Sequence, residues 1–228
     1  MPPRSQLPPA RLPWAQWGVA LTEITDGRPL CLSLANTRHF RNSAAPRETL
    51  VRFADLVAWA QQRKVVDERE ARRLVANAAG SGGSAQRELV RAILLREAIA
   101  RVFAGHAHGT RPDGADLATI VDGFNEAARH LKLELQDGRL VPCLDRADAG
   151  IRMPRWQAAL SAVALLSSPA LSQVKECADD RGCGWLFVDV TRNGSRRYCF
   201  SNECGNRARQ QRFRARHPAP AIGRGAPA

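Results

Sequence analysis

Four cysteines near the C-terminus constrain this chain more than any other feature. Cys177, Cys183, Cys199 and Cys204 fall as C-x5-C-x15-C-x4-C, and the other two of the six cysteines, Cys31 and Cys143, stand alone far upstream. Two close pairs of thiolates joined by a segment long enough to fold back are what a tetrahedral Zn²⁺ requires, because each pair supplies two sulfurs from one turn. Two disulfides, a redox-active switch and unliganded thiols are the rival readings. The N-terminal MPPRSQLPPARLPW holds Pro2, Pro3, Pro8, Pro9 and Pro13 and no apolar run of signal-peptide length. No stretch approaches the ~18–20 apolar residues of a membrane span. A cytoplasmic chain keeps its thiols reduced, and clustered reduced cysteines favour a metal. The expectation is one structural zinc ion on the four cysteines. Cys31 and Cys143 read as small buried apolar residues.

The charge follows the same geography. Net charge is +12 over 228 residues. Residues 1–170 carry 23 Lys+Arg against 17 Asp+Glu, and residues 171–228 carry 11 against 5, so half of the excess sits in the last quarter of the chain. Nearly all of it is arginine, since Lys64, Lys132 and Lys175 are the only lysines. High net charge alone is weak support for a nucleic-acid partner, whereas local density is stronger.

Upstream of the cysteines the pattern is helical. Pro46 and Glu48 precede a segment in which Leu50, Phe53, Val57 and Ala60 recur at helical spacing. Asp67 with Glu70 forms a capping pair before Ala71, Leu74, Val75 and Ala78. Ser84 stands as a cap before a longer helix with Leu89, Ile93, Ala100 and Phe103 inward, after the GSGG turn at 80–83. A helix from about Asp113 carries Leu117, Val121, Phe124 and Ala128 as its stripe. The period then changes to two: Leu131, Leu133, Leu135, a turn at Asp137-Gly138, and Leu140 predict a hairpin. A last helix follows Pro154 with Trp156, Leu160 and Val163 on one face. The fold class expected is mainly α with a small β-hairpin (α+β), followed by a small four-cysteine zinc-finger module with a β-ribbon and a C-terminal basic helix. Residues 1–16 read as a flexible proline-rich start, 17–168 as the helical domain, 169–217 as the zinc module and 218–228 as a disordered tail.

Within the module, Leu171 and Val174 are expected to pack on the larger domain. Trp185-Leu186-Phe187-Val188 reads as the strand of a mini-core too small to fold without metal. Asn193-Gly194 reads as the tip of a ribbon that points Arg192, Arg196 and Arg197 outward and returns through Tyr198 and Phe200. Ser201 is placed to cap the last helix, and Cys204 falls in its first turn, where the helix dipole favours the thiolate. Arg207, Arg209, Arg212, Arg214 and Arg216 follow, with no acid from Gly205 to the C-terminus. Solvated helices mix signs, because opposite charges at i,i+4 are worth ~0.2–0.5 kcal/mol. A helix without that pairing suits an anionic partner.

The string CADDRGCGWLFVDVTRNGSRRYCFSNECGNRARQQRFR resembles the CGNR zinc-finger family, whose name tetrapeptide stands here as Cys204-Gly205-Asn206-Arg207. Tyr198 occupies a position where the family commonly has tryptophan. Gly27-Arg28-Pro29-Leu30-Cys31-Leu32-Ser33-Leu34-Ala35-Asn36-Thr37 is similar to the opening of the ABATE domain, with Ser33 in place of the usual aspartate. The resemblance implies a stress-induced bacterial transcription regulator that responds to a ligand.

A zinc-dependent regulator binding double-stranded DNA through the arginine helix accounts for these features together. An RNA-binding zinc module on a helical ligand-binding domain is the alternative, because phosphate contacts do not separate the polymers. Asn206 is the candidate for a base edge and the arginines for phosphates. Asn36 and Thr37 are the candidate ligand residues for a small-molecule effector, with the alternative that Asn36 merely turns the chain after an apolar strand. One arginine helix per monomer binds weakly, so a homodimer fits, although no residue pattern displays it. His39, His106, His108 and His130 belong to no catalytic motif, and four cysteines close a metal shell. No enzyme and no membrane partner are expected.

Overall fold

Apolar residues at helical spacing build most of the molecule. In a computed structural model that describes residues 28–80, 82–136 and 138–217, the chain runs from a first helix (α1, Leu30–Ala35) to a last one (α8, Cys204–Arg216). The N-terminal segment 1–16, the beginning of the domain expected from 17, Asp137 of the hairpin turn and the tail 218–228 lie outside the described residues.

The run after Pro29 is a helix rather than a strand. Leu30, Cys31, Leu32 and Leu34 are fully buried, and Asn36 N–H closes the helix on Leu32 O at 3.0 Å. A short apolar run has no period to distinguish the two forms. α1 lies at the centre, where Cys31 N–H donates to Ser161 Oγ at 3.1 Å. Around it stand α2 (Phe53–Gln62), α3 (Glu68–Ala79), α4 (Ser84–Ala107), α5 (Gly114–Ala128) and α7 (Met153–Leu166), with the short α6 (Arg146–Ala149) leading into α7. β1 (Arg38–His39) pairs with β2 (Arg47–Glu48), and β3 (Leu131–Gln136) with β4 (Arg139–Leu144).

Local chemistry sets the helix starts. α2 begins at Phe53, later than Pro46 suggests, because the Asp55 carboxylate accepts from Val51 N and Arg52 N at 3.0 and 2.7 Å. Glu48 is drawn into a strand instead, where it pairs with Arg96. Asp67 accepts from Glu70 N at 2.8 Å and Asp113 from Ala115 N at 2.7 Å. Ser84 is the first helical residue rather than the cap, since Gly83 takes that place at φ +81. The buried face of α5 is Asp116, Ile120, Gly123 and Ala127, rotated from the Leu117–Val121 stripe. Gly123 lets α5 approach α7 so closely that an added Cβ would lie 3.2 Å from Ala159 Cβ.

The zinc module is joined to this body through a strand buried on both faces. β5 (Val174–Glu176) pairs antiparallel with β6 (Leu186–Val188). Alternation sends Leu186 and Val188 into the main core and Phe187 into the cysteine cluster. Trp185 to Val188 is therefore not a core private to the module. The ribbon is β5–β6, and the segment after Asp189 is a turn rather than a returning strand. There the Asp189 carboxylate accepts from Thr191 N, Arg196 N and Lys175 Nζ at 3.0, 2.9 and 2.6 Å, replacing a ladder with side-chain bonds.

Candidate metal centre and nucleic-acid interface

The four sulfurs converge. Cys177 follows β5, with its N–H on Trp185 O at 2.8 Å. Cys183 sits between Gly182 and Gly184, both at positive φ, in the tight knuckle a ligand turn needs. Cys199 N–H donates to Cys177 Sγ at 3.4 Å, and Cys204 opens α8. All four are buried, and their Sγ atoms lie within 4.8 Å of one another. Cys183–Cys199 and Cys199–Cys204 are each 3.7 Å apart. A tetrahedron with Zn–S bonds of ~2.3 Å has an edge of about 3.8 Å, so the shell fits one structural zinc ion. Phe187, Trp185, Tyr198 and Phe200 pack around it.

Four sulfurs in so small a volume cannot all ionise without a cation. Hydrogen bonds from Cys183 and Cys199 hold the Cys177 thiol down to about 2. Hydrogen bonding to Cys177 and then burial push Cys183 up to about 11. Burial, and then the charges of Cys183 and Cys177, push Cys204 up, against the direction its helix N-terminus favours. A divalent cation reverses this balance, since zinc binds the thiolates and releases their protons.

Arg207 points inward. Its Nη1 reaches the buried carboxylate of Asp179 at 2.9 Å and lies 3.9 Å from Cys204 Sγ. Arg196 likewise lies over the Phe187 ring at 4.5 Å and donates to the carbonyls of Tyr198 and Cys199, so of the three arginines at that turn Arg192 and Arg197 are the exposed ones. From Arg209 onward α8 is exposed on every side, Phe213 at 63 % included. Arg209 and Arg212 bond only to backbone carbonyls, of Ser201 and Ala208. Arg192, Arg197, Arg214 and Arg216 have no side-chain partner among the described residues. The Asn206 amide, half-buried at the helix start, has none there either.

Asn36 is spent on joining the two parts. Its Nδ2 donates to Leu186 O and its Oδ1 accepts from Leu186 N, both at 2.9 Å. Beside it, Arg41 N–H and Asn42 N–H donate to Cys183 O and Gly182 O at 3.3 and 3.1 Å. Thr37 Oγ1 donates to Leu34 O at 2.7 Å. Asn36 and Thr37 do border a cleft of about 570 Å³ with Trp59, His39 and Trp185. Burial pushes Cys31 up to about 12, as for an apolar residue. Cys143 is only half-buried, short of the burial expected of it.

The family model described as "Putative stress-induced transcription regulator", ABATE, matches residues 28–169. The chain belongs to the ABATE family. A CGNR zinc-finger model matches residues 173–217, so the ABATE domain precedes the finger. No curated protein matches the chain. Family and sulfur shell together support a zinc-binding regulator, and both families are of regulator and zinc-finger type rather than enzymes. Among the described residues no helix is long and apolar enough to cross a membrane.

Proposed function

We propose that this ABATE protein binds double-stranded DNA as a transcription regulator, with α8 as its reading head. One observation carries the reading: α8 projects with Arg209, Arg212, Arg214 and Arg216 and no acid between Gly205 and His217. At 13 residues it is about 20 Å long, and the major groove, ~12 Å wide, admits such a helix. The four guanidinia supply phosphate contacts, joined by Arg192 and Arg197. Asn206 is the amide for an adenine edge. Arg207 and Arg196 hold the module together. A small-molecule effector in the cleft beside Asn36 belongs to the same reading, because Trp185 of the finger borders that cleft.

The test is a titration against salt on duplex DNA and on structured RNA of equal length. Each phosphate contact contributes about 0.9 to the slope of log K against log salt on B-DNA. The double variant Arg212→Ala/Arg214→Ala should flatten that slope by about two such units. Asn206→Ala should cost ~1–3 kcal/mol on the preferred sequence alone. Unchanged affinity and slope in the double variant would remove α8 as the reading head. Tighter retention on RNA would move the assignment to that polymer.

A further inference from the structure

The β3–β4 hairpin exposes an apolar ladder where a helical body has no evident use for one. Register places Leu131 opposite Leu144, Leu133 opposite Pro142 and Leu135 opposite Leu140, all on one face. The base of the ladder is covered, with Leu144 buried and Leu131 half-buried. Its outer part is not: Leu133, Leu135 and Leu140 are 65 %, 72 % and 65 % exposed. The hairpin is a two-stranded sheet among the described residues, so both of its outer edges lack a further strand. A lone hairpin in water is marginally stable, and contiguous exposed apolar surface marks an interaction site.

The two edges differ. β4 carries Pro142, which has no N–H to donate and blunts that edge. β3 reads Leu-Lys-Leu-Glu-Leu-Gln over Leu131–Gln136, with no proline. Set β3 antiparallel to the β3 of a second copy about a two-fold axis through Leu133. Leu131 then faces Leu135, Leu133 faces Leu133, and Lys132 of each copy faces Glu134 of the other. The leucines of both chains share one face and two opposite-charge pairs share the reverse face. Lys132, held by Asp145 within its own chain, is 60 % exposed and has room for a second carboxylate. A strand whose charges complement themselves in this register suits one partner above others, a second copy of this chain.

We infer that the protein forms a two-fold dimer by pairing β3 with β3, making a four-stranded antiparallel sheet with a continuous leucine face. The inference does not depend on DNA.

Sedimentation of the full chain over a concentration series tests it, with amide exchange of 131–136 as the local readout. Wild type should pass from monomer to dimer while β3 amides gain protection. Glu134→Lys places like charges opposite each other twice and should weaken the dimer about tenfold. Adding Lys132→Glu to that variant restores both pairs and should restore the dimer. Leu133→Glu, at an exposed position that leaves the monomer folded by circular dichroism, should abolish it. A chain that stays monomeric through hundreds of micromolar overturns the inference. So does a dimer indifferent to Glu134→Lys and Leu133→Glu. Protection of β3 at high dilution would show that the chain's own residues cover this edge, and also overturns it.

Discussion

Two arginines in the core of the ABATE domain and four on α8 have opposite surroundings. In the ABATE domain Arg96 and Arg155 are buried, each among carboxylates. Arg96, almost without exposed surface, makes a fork onto Glu48 at 2.5 and 2.6 Å and reaches Glu97 at 2.7 Å. Arg155 lies between Glu88 and Glu126, with contacts of 2.5 and 2.9 Å. Burial alone would lower the affinity of Arg96 for its proton, and the hydrogen bond and charge of Glu48 outweigh it, so Arg96 holds its proton more tightly than usual. On α8 four arginines face water with no carboxylate. The chain sets carboxylates around these two buried guanidinia and none beside the four of α8, a charge pattern that suits an anionic partner.

The largest test of this contrast is removal of the metal. Chelation, or Cys199→Ser, should remove about one zinc per chain by elemental analysis and disorder the segment from Cys177 to α8. Structural zinc is worth ~10–16 kcal/mol to small modules. The ABATE helices should persist by circular dichroism, but their melting temperature should fall, because Leu186 and Val188 of β6 complete their core. A metal-free chain with every amide of the module still protected from exchange would sink the structural role of zinc.

Next in size is a cut into the paired set. Arg155→Ala leaves the buried carboxylate of Glu88 without its partner and should cost ~3–5 kcal/mol by denaturant titration. Burial already pushes Glu88 up against the pull of Arg155, so in the variant it should be pushed further up. Arg155→Ala with Glu88→Gln should recover much of the loss. A loss below the ~0.5 kcal/mol typical of surface changes would mean that pairing inside the body does not matter.

How far the sequence discloses this division depends on the reach of each signal. The cysteine shell is legible because its spacing is local, and the cap at Asp67 because its carboxylate reaches only three residues, to Glu70 N. Asn36 is not legible. Its partner is a backbone group 150 residues away, and an asparagine bonded to main chain imposes no residue type there. The run after Pro29 reads as a strand because so short an apolar run carries no period, and the face of α5 is misplaced because Gly123 counts as nothing in an apolar stripe. Arg207 and Arg196 read outward with their neighbours because one-dimensional charge cannot show that Asp179 and Phe187 fold beneath them.

Smaller again is the fit between the two halves. Gly182, at φ +76, is so close to the loop after β1 that a Cβ would lie 2.6 Å from the Asn42 carbonyl carbon. Gly182→Ala combines a left-handed backbone with a clash against main chain, and each is worth about 1–3 kcal/mol. Zinc content should stay near one per chain, while exchange of the Arg41 and Asn42 amides speeds up. Unchanged exchange there would mean that the knuckle is not seated on the ABATE domain.

The smallest stability effect belongs to the exposed set and separates the two kinds of arginine on one helix. Arg214→Ala touches no partner and should leave unfolding within ~0.5 kcal/mol of wild type, while flattening the salt dependence of DNA binding by about 0.9. Arg207→Ala, on the same helix, should do the reverse. It strips Asp179 of its 2.9 Å partner and removes the guanidinium beside Cys204 Sγ. Zinc should then leave faster on chelator challenge, with the salt slope unchanged. Groups that hold metal ligands in place commonly control metal affinity about 10–100-fold, so the release rate is the sensitive measure. If Arg207→Ala lowered the salt slope as much as Arg214→Ala and left zinc release untouched, Arg207 would belong with the outward arginines. The boundary between structural and reading residues on α8 would then have to move back to Asn206.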